Sequence, residues 1–139
     1  MRTISPAYTV GAVCVIERSD GAVLLERLSY RNSWGLPGGL LKRREAPGDA
    51  ALREVFEESG LEVELIGDPA VVVDVVAQRV DVVFRARPAP GADPDAVEPR
   101  SPEIVALAWF PRDALPDLQF ETSGALIALA RRQVNPSVD

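Results

Sequence analysis

Apolar and β-branched residues recur along the chain in short runs bounded by turn residues, a pattern typical of β-strands. The runs are residues 8–16, 22–28, 61–65, 70–77, 80–86 and 103–110. Asp20-Gly21 lies between the first two runs and predicts a β-hairpin, because Asp-Gly is a favoured two-residue turn. Gly67-Asp68-Pro69 and Gln78-Arg79 interrupt the later runs. The pattern therefore predicts a domain with six strands.

Two segments have the composition and spacing of helices. Residues 46–60 place Pro47 in the first turn and Gly60 at the position of a C-terminal cap. The apolar residues predicted to face a sheet are Ala51, Leu52, Val55 and Phe56. Residues 120–133 predict a closing helix, whose core-facing residues are Leu126, Ile127 and Leu129. Residues 135–139 are expected to be frayed. Strands on both sides of a central helix predict an α/β fold with a mixed sheet covered on both faces.

Residues 87–102 have a different composition from the rest of the chain. Five of the chain's twelve prolines fall in this stretch, together with Gly91 and several acidic residues. Proline removes a backbone donor, so a regular helix or strand is not expected here. A loop of this length in a compact domain is usually functional or mobile.

Composition limits the class of protein further. A chain of 139 residues with 47% hydrophobic residues predicts one domain, residues 1–139. A net charge of −6 argues against a nucleic-acid polymer or an anionic membrane as partner. No apolar run reaches the length of a membrane helix. The absence of histidine excludes the usual imidazole zinc sites, and the single Cys14 excludes an internal disulfide. We expect a cytoplasmic protein in which Cys14 is a buried small hydrophobe.

The central helix carries an acidic face. Glu54, Glu57 and Glu58 stand at i, i+3 and i+4, which places them on one side of a helix. Like charges at this spacing destabilise a helix, and a hard divalent cation would compensate them. Magnesium is the first candidate and manganese the second. A solvated acidic face is the alternative interpretation of these three residues taken alone.

The surroundings of the acidic face favour the metal. The segment from 39 to 61 resembles the box of the Nudix hydrolase family at every specified position: Gly39, Glu45, Arg53, Glu54, Val55, Glu57, Glu58, Gly60 and Leu61. The preceding Trp34-Gly35-Leu36-Pro37 and the later Ala108-Trp109-Phe110-Pro111 are also typical of the family. The resemblance implies an α/β/α sandwich of the Nudix type, with a mixed β-sheet.

The resemblance also implies an activity. Nudix enzymes hydrolyse a nucleoside diphosphate linked to another moiety, with water attacking phosphorus and a divalent metal bound by carboxylates. It implies metal ligation by Glu54, Glu57, Glu58 and the backbone carbonyl of Gly38. Arg53 is expected to pair with Glu45 or neighbouring carboxylates and fix their rotamers, although an ordinary surface ion pair would have the same sequence.

The catalytic base and the substrate contacts are less clearly encoded. Without histidine, water activation must fall to a carboxylate or the metal. Glu98 and Glu103 are downstream candidates beside the helix glutamates, and we prefer Glu103 because a strand start is a firmer support. Substrate phosphates require cations, and the predicted substrate contacts are Arg27, Arg31, Arg44 within the basic run 42–44, and Trp34 as a stacking platform.

The substrate is expected to be a small nucleotide, ADP-ribose or a related nucleoside diphosphate derivative. Three alternatives stay open: hydrolysis of canonical or oxidised dNTPs, a nucleotide-binding sensor of the same fold that cleaves nothing, and prenyl diphosphate isomerisation. The last is disfavoured because that chemistry uses a reactive cysteine, whereas Cys14 lies within a predicted strand. Dimerisation is common in the family, so a homodimer is one expected oligomeric state.

Overall fold

The computed structural model of the protein describes residues 4–134. Its elements in chain order are β1 (Thr9–Ile16), β2 (Val23–Leu28), β3 (Trp34–Gly35), β4 (Gly38–Leu40), α1 (Pro47–Ser59), β5 (Val63–Asp74), β6 (Arg79–Pro88), a 3₁₀ turn (Pro94–Ala96), β7 (Ile104–Phe110) and α2 (Phe120–Val134). The prediction that residues 135–139 are frayed concerns residues outside the described part of the chain.

The strands form two sheets. One has four strands in the order β4-β1-β6-β5, and the other has three in the order β3-β2-β7. In the larger sheet β1 runs parallel to β6, whereas the pairs β1–β4 and β5–β6 are antiparallel. The smaller sheet is antiparallel throughout. The predicted α/β fold with a mixed sheet is therefore confirmed.

Alternating residues of β1 build a core on each face of the larger sheet. Ala12 and Cys14 are buried in a cluster that includes Ala51 and Val55 of α1. Val15 is buried in a second cluster, which includes Leu129 of α2. Each helix therefore covers one face, which is the predicted sandwich of a sheet between helices. Burial raises the pKa of the Cys14 thiol to about 12, so Cys14 has the predicted role of a small core residue.

The predicted hairpin of β1 and β2 is wrong beyond its turn. Asp20 accepts a hydrogen bond from the backbone of Ala22, and Glu17 forms a single bridge with Val23. The two strands then separate into different sheets. β1 pairs with β6 along its whole length, and β2 pairs with β7. These strands, distant in sequence, form the backbone hydrogen bonds that a hairpin of β1 and β2 would have formed.

The predicted break between residues 61–65 and 70–77 is also wrong. The two runs form one strand, β5, which pairs with β6 on both sides of an irregularity between Ile66 and Ala70. Gly67 adopts a positive φ of 67° at this point. The Gly-Asp-Pro sequence therefore produces a bulge, because the unbroken partner strand β6 keeps the chain in the sheet.

The helix boundaries agree with the sequence, but the buried faces agree only in part. Leu52 is 37% exposed and Phe56 is 43% exposed, so these two positions of the predicted α1 stripe are wrong. Ala50 is buried instead, and small side chains at this face let α1 lie close to the sheet. In α2, Ile127 is 53% exposed, so its predicted core position is wrong as well.

The proline-rich stretch has little regular structure, as predicted. β6 continues to Pro88, and the 3₁₀ turn is held by a hydrogen bond that the indole N–H of Trp109 donates to the carbonyl of Pro94, at 2.9 Å. Within residues 4–134, no helix is long and apolar enough to cross a membrane.

Gly60 closes α1 in a left-handed conformation, with φ of 76°, and a Cβ atom there would lie 2.6 Å from Arg100 Nε. We expect Gly60→Ala to lower the free energy of unfolding by about 1 kcal/mol or more. Gly124→Ala is the matched control, since its Cβ would meet open space inside α2, and it should raise stability by about 0.5 kcal/mol. Urea denaturation measures both changes. Equal effects of the two substitutions would contradict this account of the cap.

Candidate active site

A cavity of about 1060 Å³ opens beside the acidic face of α1. Its walls include α1, the glycine turn of β4, the second half of β2, the end of β5 and the start of β6, β7 and α2. Eight acidic side chains line it: Glu26, Glu54, Glu57, Glu58, Asp74, Asp81, Glu103 and Glu121. Among the described residues, its cationic side chains are Arg31 and Arg79. The cavity is therefore strongly acidic.

The turn Gly38-Gly39 brings the backbone against both β1 and α1. A Cβ atom on Gly38 would lie 2.3 Å from the carbonyl oxygen of Ala12, and one on Gly39 would lie 2.5 Å from the carboxyl carbon of Glu54. A side chain at position 38 would therefore collide with the backbone of β1, and one at position 39 would displace the Glu54 carboxylate. The backbone N–H of Gly38 donates to Glu58 Oε1 at 3.0 Å, so the turn also orients a carboxylate. Ligation by the Gly38 carbonyl stays a prediction.

Arg53 links the carboxylates of the box. Its guanidinium donates to both oxygens of Glu45, from Nε at 2.7 Å and from Nη2 at 2.8 Å. The remaining nitrogen, Nη1, donates to Glu54 at 2.8 Å and to Glu57 at 3.2 Å. The predicted pairing with Glu45 is thus present, and the same side chain also orients two glutamates of the acidic face. Arg53, followed by the backbone N–H of Lys42, lowers the pKa of Glu45 to about 2.

Glu26 was missed by the sequence analysis. It is 5% exposed on β2 and lies beside Glu58, which is 7% exposed. Burial is the main cause that raises the pKa of both carboxyls, and the neighbouring charges of Glu58 and Glu54 raise the pKa of Glu26 further. Glu26 Oε2 is buried without a hydrogen-bond partner among the described residues. The only available signal was a glutamate that follows three aliphatic residues within a predicted strand.

The two downstream candidates for the base occupy different places. Glu103 lines the cavity, where its charge contributes to raising the pKa of Glu58. Its backbone carbonyl accepts a hydrogen bond from the N–H of Ser29 at 2.8 Å, which ties it to the end of β2. Glu98 is exposed and is absent from the cavity lining of the described residues. The geometry therefore favours Glu103 of the two, and its role stays a prediction.

Of the four predicted substrate contacts, the structure brings only Arg31 into the cavity lining, where it forms an ion pair with Glu121. Arg27 follows Glu26 on β2, and successive side chains of a strand point to opposite faces. Arg44 is exposed with a positive φ of 64°.

The stacking role predicted for Trp34 has no support in the geometry. Its ring packs edge-on against Phe110, with centroids 4.9 Å apart, and it belongs to the margin of the α2 core. Arg79 lines the cavity instead, and donates to Asp81 at 2.9 Å. Its position depends on the pairing of β6 with β1 and β5, which local sequence does not reveal.

The donor set fits a hard divalent cation. Oxygen ligands are what magnesium and manganese prefer, and the partnerless Glu26 oxygen shows that this carboxylate cluster has unused acceptor capacity. Within residues 4–134, no three acidic side chains are close enough together to form a ready metal cage. The contacts explain this, because Arg53 holds Glu54 and Glu57 while Gly38 and Glu26 hold Glu58. Ligation would require these carboxylates to exchange partners.

Comparison with known proteins identifies the family. The model of the NUDIX domain matches residues 7–129. The chain belongs to the Nudix family. It is 34% identical over 119 residues to a MutT-like protein of Streptomyces ambofaciens, an alignment that covers 86% of this chain and 74% of that protein.

Solved structures agree. A MutT Nudix hydrolase from Burkholderia pseudomallei has a TM-score of 0.73 at 29% identity, covering 89% of this chain and 99% of that one. An ADP-ribose pyrophosphatase from Streptococcus suis has a TM-score of 0.73 at 26% identity, covering 96% of each chain. This Nudix chain is therefore a hydrolase of the class that acts on pyrophosphate bonds.

Arg53→Lys tests whether the guanidinium orients the carboxylates. A lysine ammonium cannot bind Glu45 through two parallel bonds while also contacting Glu54 and Glu57. We expect the affinity for Mn²⁺, measured by calorimetry or by the electron paramagnetic resonance of free Mn²⁺, to fall by about tenfold or more. Arg18→Lys is the matched control, since Arg18 pairs with Asp20 outside the cavity lining. Equal Mn²⁺ affinity in the wild type and Arg53→Lys would contradict the proposed orientation.

Proposed function

We propose that this protein hydrolyses the pyrophosphate bond of a nucleoside diphosphate linked to another moiety, with magnesium as the metal and manganese as an effective substitute. The observation that carries the proposal is the convergence of the box residues on one cavity. Glu54, Glu57 and Glu58 line the same space as the Gly38-Gly39 turn and Glu103. Local sequence placed the first three on one helix face, and the fold adds the other two.

The ligands proposed for the metal are Glu54, Glu57, Glu58 and the Gly38 carbonyl. A divalent metal bound there would neutralise phosphate charge and acidify a water molecule. The burial of Glu58 and its contact with the Gly38 amide hold this carboxylate in place. Arg53 holds Glu54 and Glu57 beside each other, and their carboxylates would exchange part of this contact for the metal.

Glu103 is proposed as the general base. Its carboxylate accepts a proton from the water molecule that attacks phosphorus. As the new P–O bond forms, the bond from phosphorus to the bridging oxygen breaks, and the second phosphate leaves with that oxygen. Arg31 and Arg79 are the cations available to donate to phosphate oxygens. Each is already aligned by an acidic partner, Glu121 or Asp81.

The size of the cavity supports a substrate with two substituents on the diphosphate. Its volume of about 1060 Å³ lies just above the range of about 300–1,000 Å³ for small-molecule pockets. The similarity to an ADP-ribose pyrophosphatase points the same way. We therefore favour ADP-ribose or a related nucleoside diphosphate derivative as substrate. Canonical or oxidised dNTPs are the second candidate.

A sensor that binds nucleotides without cleaving them is disfavoured by the complete set of box glutamates. Each of Glu54, Glu57 and Glu58 lines the cavity, and each is positioned by a contact with Arg53 or Gly38. A module that only binds nucleotide has no need of this arrangement. Calorimetry showing tight nucleotide binding without metal-dependent turnover would favour the sensor instead.

The direct test is a panel of ADP-ribose, NADH, CDP-alcohols, dNTPs and oxidised dNTPs with Mg²⁺, read out by the phosphate-containing products. Glu57→Gln and Glu58→Gln should each lower kcat by about a hundredfold or more, because each removes a metal-binding charge. Glu62→Gln is the matched control, since Glu62 is exposed just after α1 and is absent from the cavity lining. If the wild type hydrolyses none of these compounds, the proposal is wrong.

The proposed base predicts a difference between the two downstream glutamates. Glu103→Gln should lower kcat by about a hundredfold or more, because a positioned base contributes roughly that factor. Glu98→Gln should keep the wild-type rate, since Glu98 lies outside the cavity lining. Steady-state kinetics in Mg²⁺ measure both variants. A rate for Glu103→Gln within a few-fold of the wild type would assign the base to another group.

A further inference from the structure

The segment of residues 98–100, at the end of the proline-rich stretch, lies against the C-terminal end of α1. The backbone N–H of Glu98 donates to the carbonyl of Ser59 at 3.3 Å, and that of Arg100 donates to the carbonyl of Glu58 at 3.0 Å. The last carbonyls of a helix lack partners within the helix. This segment therefore satisfies two of them, and one belongs to a proposed metal ligand.

The local sequence restricts the segment. In the run from Glu98 to Pro102, Pro99 and Pro102 have fixed φ angles and no backbone donor. The two donors that precede Ser101 are the amides of Glu98 and Arg100, and both bind α1. A loop that the composition predicted to be functional or mobile is thus fastened to the helix at this end.

The side chain of Arg100 strengthens the attachment. Its guanidinium carbon lies 5.7 Å from the centroid of the half-exposed Phe56 ring, within the range of a cation–π contact. Its Nε lies 2.6 Å from the position that a Cβ atom of Gly60 would occupy. A cation at the C-terminal end of a helix also interacts favourably with the helix dipole. Arg100 therefore holds the segment and the helix end together.

The same segment leads directly to Glu103. The N–H of Glu103 donates to Ser101 Oγ at 3.4 Å, and the N–H of Ile104 donates to the carbonyl of Ser101 at 3.0 Å. This compact turn begins β7, and both Ser101 and Glu103 line the cavity. Only two residues, Ser101 and Pro102, thus separate the attachment at Arg100 from the proposed base.

We propose that Arg100 is a positioning residue, which fixes the Glu103 carboxylate relative to the Glu58 carboxylate by fastening the start of β7 to the end of α1. Arg100 is absent from the cavity lining, so it acts through these two residues and does not touch substrate. Its catalytic consequence rests on the proposed function, whereas its effect on geometry does not.

Nuclear magnetic resonance tests the geometry without turnover. The Gly38 amide reports the Glu58 carboxylate that it contacts, and the Ser29 amide reports the backbone of Glu103. In Arg100→Met, which keeps the apolar stem and removes the charge, both resonances should shift, and Arg100→Lys should move them back towards the wild type. Arg112→Met is the matched control, because Arg112 pairs with Glu17 elsewhere. Unchanged Gly38 and Ser29 resonances in Arg100→Met would overturn the proposal.

Kinetics test the consequence. Arg100→Met should lower kcat by about ten- to a hundredfold with little change in KM, since small displacements of reacting groups have effects of this size. In a Glu103→Gln background the same substitution should cost much less, because the group it positions is already gone. Additive losses would overturn the proposal. If the wild type cleaves nothing, the proposed function fails, and the amide resonances alone decide the role of Arg100.

Discussion

The contacts of the site depend on one constraint, the electrostatic repulsion among the glutamates of α1, which neighbouring donors must offset. Three carboxylates within five residues of one helix face destabilise it unless cations or donors are supplied. Arg53 supplies them to Glu54 and Glu57, and extends the network to Glu45 before the helix. A guanidinium suits this task because its donors form a rigid planar fork, whereas a lysine has a single charged nitrogen.

Backbone packing also helps to offset the repulsion among these glutamates. Glu58 takes its donor from the amide of Gly38, which requires β4 to pass very close to both β1 and α1. That approach is open only to glycine on the strand, and the buried Ala50 and Ala51 let the helix lie near the sheet. The placement of one carboxylate therefore depends on small residues that carry no charge. Substitutions at these positions would disturb the site without removing any of its polar groups.

The sequence predicted what depends on neighbouring residues and missed what depends on distant ones. The bounds of α1, its cap at Gly60 and the acidic face follow from spacing along one helix, and the structure agrees with them. The Asp20-Gly21 turn was also correct, but the partners of β1 and β2 are set by ladders to β6 and β7. The exposed position of Phe56 was not predicted either, and its ring packs against the side chain of Arg100, which is distant in sequence.

The same distinction applies to the charged groups of the cavity. Glu26 and Arg79 reach it only because β2 and β6 take their places in two different sheets. With eight acidic side chains and two arginines that already have acidic partners, the cavity by itself repels a diphosphate. Under the proposed function, a phosphate-bearing substrate and a divalent cation would therefore assist each other's binding, each raising the affinity for the other by the same factor. The acidity of the site would then make binding of the substrate conditional on the cation, and would couple recognition of the substrate to its hydrolysis.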